Sequence, residues 1–406
     1  MHAWEPGRQI CIDCIRRYSQ LHDELSAAFP HFAEQELKVV PAPLRLDAPD
    51  EFRGRGVTIA FLDSGFYAHP DLAKPRNRIL KYMNLVERAK PSDLTTPQAS
   101  SWHGMMTSVV AAGNGFLSGG LYRGIASEAN LVLVKVGMSS RVRHQDIARG
   151  LRWVIRHREE FNIRIVNISA GGDYEASYLS DELSRVAEDA TRAGLLVIAA
   201  AGNSGHLANH PVLPPASAPS VIAVGGLDDK NNLDFGDNDM YRSSYGPTID
   251  GLQKPEVIAP GIWIAAPILP GTPTSEQATL LSQLENTPDS ELRETIRQHP
   301  GVDEDLDHAL ELAPYLLRQL VWIKIRDNNV ISGHYKHVDG TSFAAPIVSS
   351  IAAQILEAVP DLKPHEVRLA LIKTAVRLSH VEVDRQGWGM VNPRAAIAAA
   401  KAMRGA

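Results

Sequence analysis

A series of short, nearly continuous apolar runs is the feature that most restricts what this chain can fold into. Val57-Thr58-Ile59-Ala60-Phe61-Leu62 is the first, and Leu131–Val136, Ile163–Ile168, Leu195–Ala200 and Val221–Val224 follow. Runs of this kind, without polar alternation, suit strands buried on both faces. Stretches with helical character lie between them, at His103–Ala112, Gln145–Arg158 and Ser180–Ala193. Strands alternating with helices at this spacing predict βαβ units. The expected fold class is α/β, a three-layer arrangement whose mostly parallel central sheet is covered by helices on both faces. In such a sheet a ligand sits beyond the carboxyl ends of the strands.

Composition sets the outer limits. With 44% apolar and 22% charged residues in 406, the chain has ample material for a globular core. A net charge of −6 gives no reason to expect nucleic acid as a partner. No apolar stretch approaches the ~18–20 residues needed to cross a membrane, so no membrane partner is expected. The opening residues lack the basic-then-apolar order of a secretory signal, which makes the cytoplasm the expected location. Both cysteines lie in Cys11-Ile12-Asp13-Cys14, a zinc half-site with no second pair, to which His2 or His22 could add. Two free thiols in a reducing compartment is the expected state.

Three short motifs carry the chemistry, in fixed order. Asp63-Ser64-Gly65 follows the first apolar run, His103-Gly104 opens an apolar helix, and Gly340-Thr341-Ser342-Phe343-Ala344-Ala345-Pro346 lies near the end. They supply a carboxylate, an imidazole and a hydroxyl. A hydroxyl becomes a nucleophile when a base takes its proton, and a carboxylate fixes the tautomer of that base. Each residue also has an ordinary structural use: Asp63 as an Asx turn, Ser342 as a helix cap, Asn203 as a turn residue. Pro346 has no N–H, so it cannot bond the carbonyl of Ser342 four residues earlier.

Two further segments extend the pattern: Asn167-Ile168-Ser169-Ala170-Gly171-Gly172, and Ala199-Ala200-Ala201-Gly202-Asn203-Ser204-Gly205. With these five segments in order, the chain resembles the subtilisin-like (subtilase) serine peptidases. Phe343 stands where that family commonly has Met. The resemblance implies Asp63, His103 and Ser342 as the catalytic triad and Asn203 as a donor to the oxyanion. It also implies Ser169, Ala170, Gly171 and Gly202 as lining for an extended peptide or protein substrate, with Ser139-Ser140-Arg141 as the facing edge. Arg141, Arg143 and His144 read as a solvated loop. The activity implied is that of a serine endopeptidase working through an acyl-enzyme. Alternatives are processing of precursor peptides, acyl transfer that ligates or cyclises, and a non-catalytic peptide-binding role.

The chain departs from that family in three places. Residues 1–50 form an N-terminal extension, with a helix expected over 15–37 and an extended, proline-punctuated Val39–Pro49; a docked segment is favoured over an inhibitory leader. Residues 51–406 form the catalytic domain, interrupted by a largely helical insertion at about 268–335. Helical signals cover Thr274–Leu284, Asp289–His299 and Asp303–Leu320, and Val321–Ile325 with Val330-Ile331 reads as a hairpin. A lid, a docking surface for a partner or second subunit, or an inert insertion would each suit it. Calcium is common in the family in a loop after the His helix. Here that loop, Gly113–Gly120, has one Asn and no carboxylate, so structural calcium lacks support, and catalysis requires no cofactor or metal.

Overall fold

The computed structural model describes residues 38–87, 90–138 and 141–405. The expected 15–37 helix, the Cys11/Cys14 pair and Ser139-Ser140 lie outside the described residues. Among those described, seven parallel strands build the sheet: β1 Thr58–Asp63, β2 Ile79–Asn84, β3 Asn130–Lys135, β4 Ile163–Ile168, β5 Leu196–Ala200, β6 Ile222–Asp228 and β7 Val257–Pro260. Their spatial order is β7-β6-β5-β4-β1-β3-β2, and the short strand Asp239–Met240 pairs antiparallel with β6. The chain winds one way from β1 to β3 and the other way from β4 onward. The switch point is therefore the β1–β4 seam, where a crevice opens beyond the strand ends.

Side chains along β1 alternate between the two layers. Ile59 and Phe61 enter a core shared with α2 (Ser101–Ala112), α9 (Thr341–Ala358), α10 (Pro364–Thr374) and α11 (Pro393–Ala402). Ala60 and Leu62 enter the opposite core, with α3 (His144–His157) and α4 (Glu182–Arg192). The alternation is the period-2 geometry of a strand, and both faces being covered explains the unbroken apolar run. Helix α9 is long and apolar enough by composition alone to span a membrane, a stretch the sequence reading passed over. In the fold 83% of it is buried inside the protein.

Two expectations are corrected. Val39–Pro49 is not extended throughout: α1 spans Ala42–Arg45, with proline at its start. The hairpin expected at Val321–Ile331 is absent. Helix α8 runs Pro314–Asp327, with Leu317, Val321 and Ile325 buried along one face at four-residue intervals. The β-branched residues at 321, 323 and 325 suggested a strand, but their tertiary partners select the helix. Asn328 and Asn329, the latter with φ of 57°, end it.

The insertion stands on an antiparallel pair, β8 (Ile264–Pro267) with β9 (Tyr335–Val338). Its helices α5 (Pro273–Glu285), α6 (Leu292–Arg297), α7 (Glu304–His308) and α8 surround a cluster of their own. Leu281, Leu284, Leu292, Ile296, Leu317 and Val321 lie in it, separate from both sheet cores. Leu281→Ala should therefore cost about 2–5 kcal/mol. Hydrogen exchange read by mass spectrometry should place the lost protection within residues 268–334 and leave β1 and α9 protected. Loss spread across the sheet would mean that the insertion is not a separate cooperative unit.

Candidate active site

Asp63 is the last residue of β1 and is 2% exposed. Its Oδ1 accepts the Ser64 backbone N–H at 2.7 Å, and the Thr107 hydroxyl donates to Oδ2 at 3.3 Å. His103 Nδ1 lies 2.8 Å from Oδ1 and 3.0 Å from Oδ2. A carboxylate can only accept, so Nδ1 carries the proton and Nε2 presents its lone pair as a base. Burial pushes the imidazole pKa down, but attraction to Asp63 and the hydrogen bond from it outweigh that, holding it above its ordinary 6.5.

The approach of α2 to the strand end requires the residue after His103. A Cβ on Gly104 would stand 2.2 Å from the Gly65 carbonyl oxygen and 2.9 Å from Asp63 Cβ. Only glycine lets the helix press this closely on the turn and set His103 against Asp63. Thr107, one helical turn beyond His103, reaches the same carboxylate.

Ser342 lies in the first turn of α9, where backbone N–H groups have no partner inside the helix. The Ser342 carbonyl, freed by Pro346, accepts from Ser169 Oγ at 2.8 Å, and Ser342 Oγ donates to Ser169 O at 3.2 Å. Behind Ser169, Asn167 Nδ2 donates to its hydroxyl, and Ser349 of α9 donates to Asn167 Oδ1, both at 3.0 Å. The end of β4 and the start of α9 are thus locked by a chain of side chains. His103 lies over the same turn, 6.0 Å between its ring centre and that of Phe343. In this structure the Ser342 hydroxyl is engaged with Ser169 O rather than with the imidazole.

Asn203 follows β5 and is aimed by Thr341. Its Oδ1 accepts from the Thr341 N–H and from Thr341 Oγ1, each at 3.0 Å. A backbone N–H can only donate, so the atom facing it is the oxygen, and the Nδ2 amide is left without a partner among the described residues. Gly202 donates its N–H to Thr341 Oγ1 at 3.2 Å; its φ of 105° and the nearby Ser244 hydroxyl exclude a Cβ.

The structure therefore brings Asp63 and His103 into contact, and likewise Asn203, Gly202, Ser169 and Ser342 around the start of α9. Ser169 is buried, while Ala170 is half-buried and Gly171 exposed, so the open part of the edge begins at Ala170. Sequence reading missed Thr107, Thr341, Asn167 and Ser349. Thr107 carried a readable signal, its four-residue spacing from His103; Asn167 and Ser349 carried none, because their contact joins positions far apart in the chain. The reading of His144 as part of a solvated loop is corrected. His144 is 4% exposed, bonds Asp181 Oδ1 through Nε2 at 2.5 Å, and stacks on Tyr174 at 4.5 Å. Asp181 also caps α4 through the Ser184 N–H, so one carboxylate ties two helix starts together.

In the Gly113–Gly120 loop the Asn114 side chain is engaged by the protein itself. Asn114 Oδ1 accepts the Phe116 N–H and Nδ2 donates to Lys74 O. The nearest carboxylate, Asp71, accepts from the Leu117 N–H and from the Tyr335 hydroxyl. The donor set is consumed by protein contacts, and calcium wants six to eight oxygens. Among the described residues no His, Cys, Asp or Glu cluster could hold a metal.

Comparison with known proteins places these features in a family. The Subtilase family model, Peptidase S8, matches residues 54–389. The chain is 31% identical over 347 residues to the Bacillus subtilis (strain 168) serine protease AprX, covering 84% of this chain and 65% of that protein. Subtilisin E from the same organism is 30% identical over 251 residues, 60% of this chain and 58% of its own length. The chain thus spans less than two thirds of each of these two relatives. A solved structure titled prenylagaramide maturation protease PagA superposes with a TM-score of 0.55 at 21% identity, covering 85% of this chain and 93% of that one.

By NMR the His103 imidazole should titrate above 6.5, and Asp63→Asn should move that titration to lower pH, because both favourable contributions to the protonated ring come from Asp63. A titration unmoved by the substitution would show that the two side chains are not coupled in solution. Ser169→Ala should cost about 1–3 kcal/mol in urea unfolding, since it leaves the buried Ser342 carbonyl without a donor.

Proposed function

The chain belongs to the subtilase family, and on that premise we propose that it is a serine endopeptidase that cleaves peptide bonds through an acyl-enzyme. The observation that carries the proposal is the His103–Asp63 contact at 2.8 Å beside the half-buried Ser342 in the first turn of α9. Ser342 Oγ turns from Ser169 O toward His103 and attacks the scissile carbonyl. As the new carbon–oxygen bond forms, its proton passes to Nε2, and Asp63 stabilises the resulting imidazolium. The oxyanion takes hydrogen bonds from Asn203 Nδ2 and the Ser342 N–H, where the α9 dipole adds to the stabilisation. His103 returns the proton to the departing amine as the carbon–nitrogen bond breaks. Water then repeats the sequence and releases the acid.

An extended peptide would pair with the backbone at Ser169–Gly171, a mode that gives affinity from the main chain and selectivity from flanking pockets. Among substrates, precursor peptides draw more support than general protein digestion. The chain follows the PagA fold over 93% of that structure, whose title describes a maturation protease. On this reading the natural substrate is a longer peptide trimmed at a defined bond.

A fluorophosphonate probe should label the protein once, and Ser342→Ala should abolish the label. Asn203→Ala should lower kcat on a peptide substrate by about 10²–10³ with little change in KM. Because the base is free only above its raised pKa, kcat/KM should fall as pH drops through a midpoint above 6.5. Persistent labelling in Ser342→Ala, or a midpoint unchanged in Asp63→Asn, would defeat the assignment.

A further inference from the structure

We propose that the amino-terminal edge of the sheet carries a second site, which binds a small multivalent phosphate anion. A cleft of about 530 Å³ opens there, lined by Arg53, Arg55, Arg76, Arg78, Arg123 and Glu128. Arg53 and Arg55 precede β1, Arg76 and Arg78 precede β2, and Arg123 precedes β3. The reaction centre lies at the carboxyl ends of these strands, roughly 20 Å away for a six-residue strand. The two sites share no residue.

Among the described residues the arginines of this cleft outnumber the carboxylates paired with them. Asp50 pairs with Arg53 and Arg123, and Glu128 pairs with Arg55 at 2.7 Å and lies 4.0 Å from Arg53. Among the described residues five guanidinium groups thus share two paired carboxylates, with Glu357 acting on Arg55 and Asp71 on Arg78 from further off. Arg76 has no ion-pair partner among the described residues. Arg78 is 4% exposed, yet it donates only to neutral acceptors, Ala129 O at 2.9 Å and Asp71 O at 2.7 Å. Burial pushes its pKa down to about 10 and repulsion from Arg76 adds to that, against the opposing pull of Asp71 and Glu128. Burying an arginine whose direct hydrogen bonds all go to neutral carbonyls is costly, and an anion in the cleft would offset part of that cost.

The chemistry of the lining selects the ligand class. Every cation is arginine, whose planar fork matches phosphate oxygens two at a time. Among the described residues no aromatic side chain lines the cleft, so recognition would be of the phosphate groups themselves. Several arginines lining one cleft suit a multivalent species such as pyrophosphate better than a single carboxylate.

Titrating inorganic pyrophosphate into the full chain, with sodium chloride at matched ionic strength as control, tests the assignment. Saturable binding by calorimetry and a concentration-dependent rise in Tm beyond the salt control are expected. The exposed pair Arg55→Glu with Arg76→Glu should weaken binding by about tenfold or more, while peptide cleavage is unchanged. Arg78→Met is the more direct variant but risks unfolding, so the exposed pair decides. A Tm shift equal to the salt control, or equal affinity in the double variant, would overturn the proposal. So would tighter binding of a poly-glutamate peptide of equal charge, since the site would then read carboxylates.

Discussion

The whole site hangs on how the first turn of α9 is held against the ends of β4 and β5. In that turn the N–H groups of Thr341, Phe343 and Ala344 are bonded, and among the described residues the Ser342 N–H is left without a partner. Pro346 removes the hydrogen bond that would normally tie the Ser342 carbonyl into the helix, and Ser169 takes that carbonyl instead. A bond internal to the helix is replaced by one from helix to sheet. The same residue fixes the nucleophile to the strand end through its own carbonyl. Thr341 does the equivalent for Asn203, so both groups near the developing charge take their positions from neighbours that are nearly or wholly buried. Preorganisation of this kind is what allows hydrogen bonds to stabilise a transition state without reorganising during the reaction.

The electrostatics follow from the same geometry. Asp63 sits at the end of a strand buried on both faces, where solvent cannot screen its charge, and its oxygens meet a backbone N–H, a hydroxyl and an imidazole. The imidazole is pulled in opposite directions by burial and by the carboxylate, and the carboxylate wins. A base whose protonated form is favoured is well matched to a reaction in which it must first accept a proton and then return it.

Much of this was legible in the sequence, for stated reasons. The buried strands announced themselves as unbroken apolar runs, and the motifs at Asp63, His103, Asn203 and Ser342 fell at strand ends and helix starts as the expected fold requires. What escaped were contacts that join distant positions without a local pattern. Thr341 was quoted within a motif, but nothing local shows that its N–H and hydroxyl both serve Asn203. The Val321–Ile325 run shows the opposite failure: its composition favours a strand, and only the surrounding Leu281, Leu284 and Leu292 decide for a helix. His144 looked solvated beside two arginines, because its partner Asp181 is 37 residues away.

Strand β9 leads directly through Asp339 and Gly340 into the turn that carries Ser342. A unit joined so close to the reacting hydroxyl would disturb it unless the joint were stiff. The joint is stiff. Strands β8 and β9 pair over four residues, and the Trp263 N–H is held by Asp339 at the last step before the turn. On the far side the fully buried Tyr335 donates its hydroxyl to Asp71 at 2.6 Å, anchoring β9 to the short helix Pro70–Ala73 that precedes β2. Burial and the neighbouring Asp71 both raise the Tyr335 pKa, so the phenol keeps its proton and the bond stays made. Helices α5 to α8 pack among themselves rather than on the sheet cores. The insertion thus has a core separate from the sheet cores, and the β8–β9 pair links it to the turn that carries Ser342.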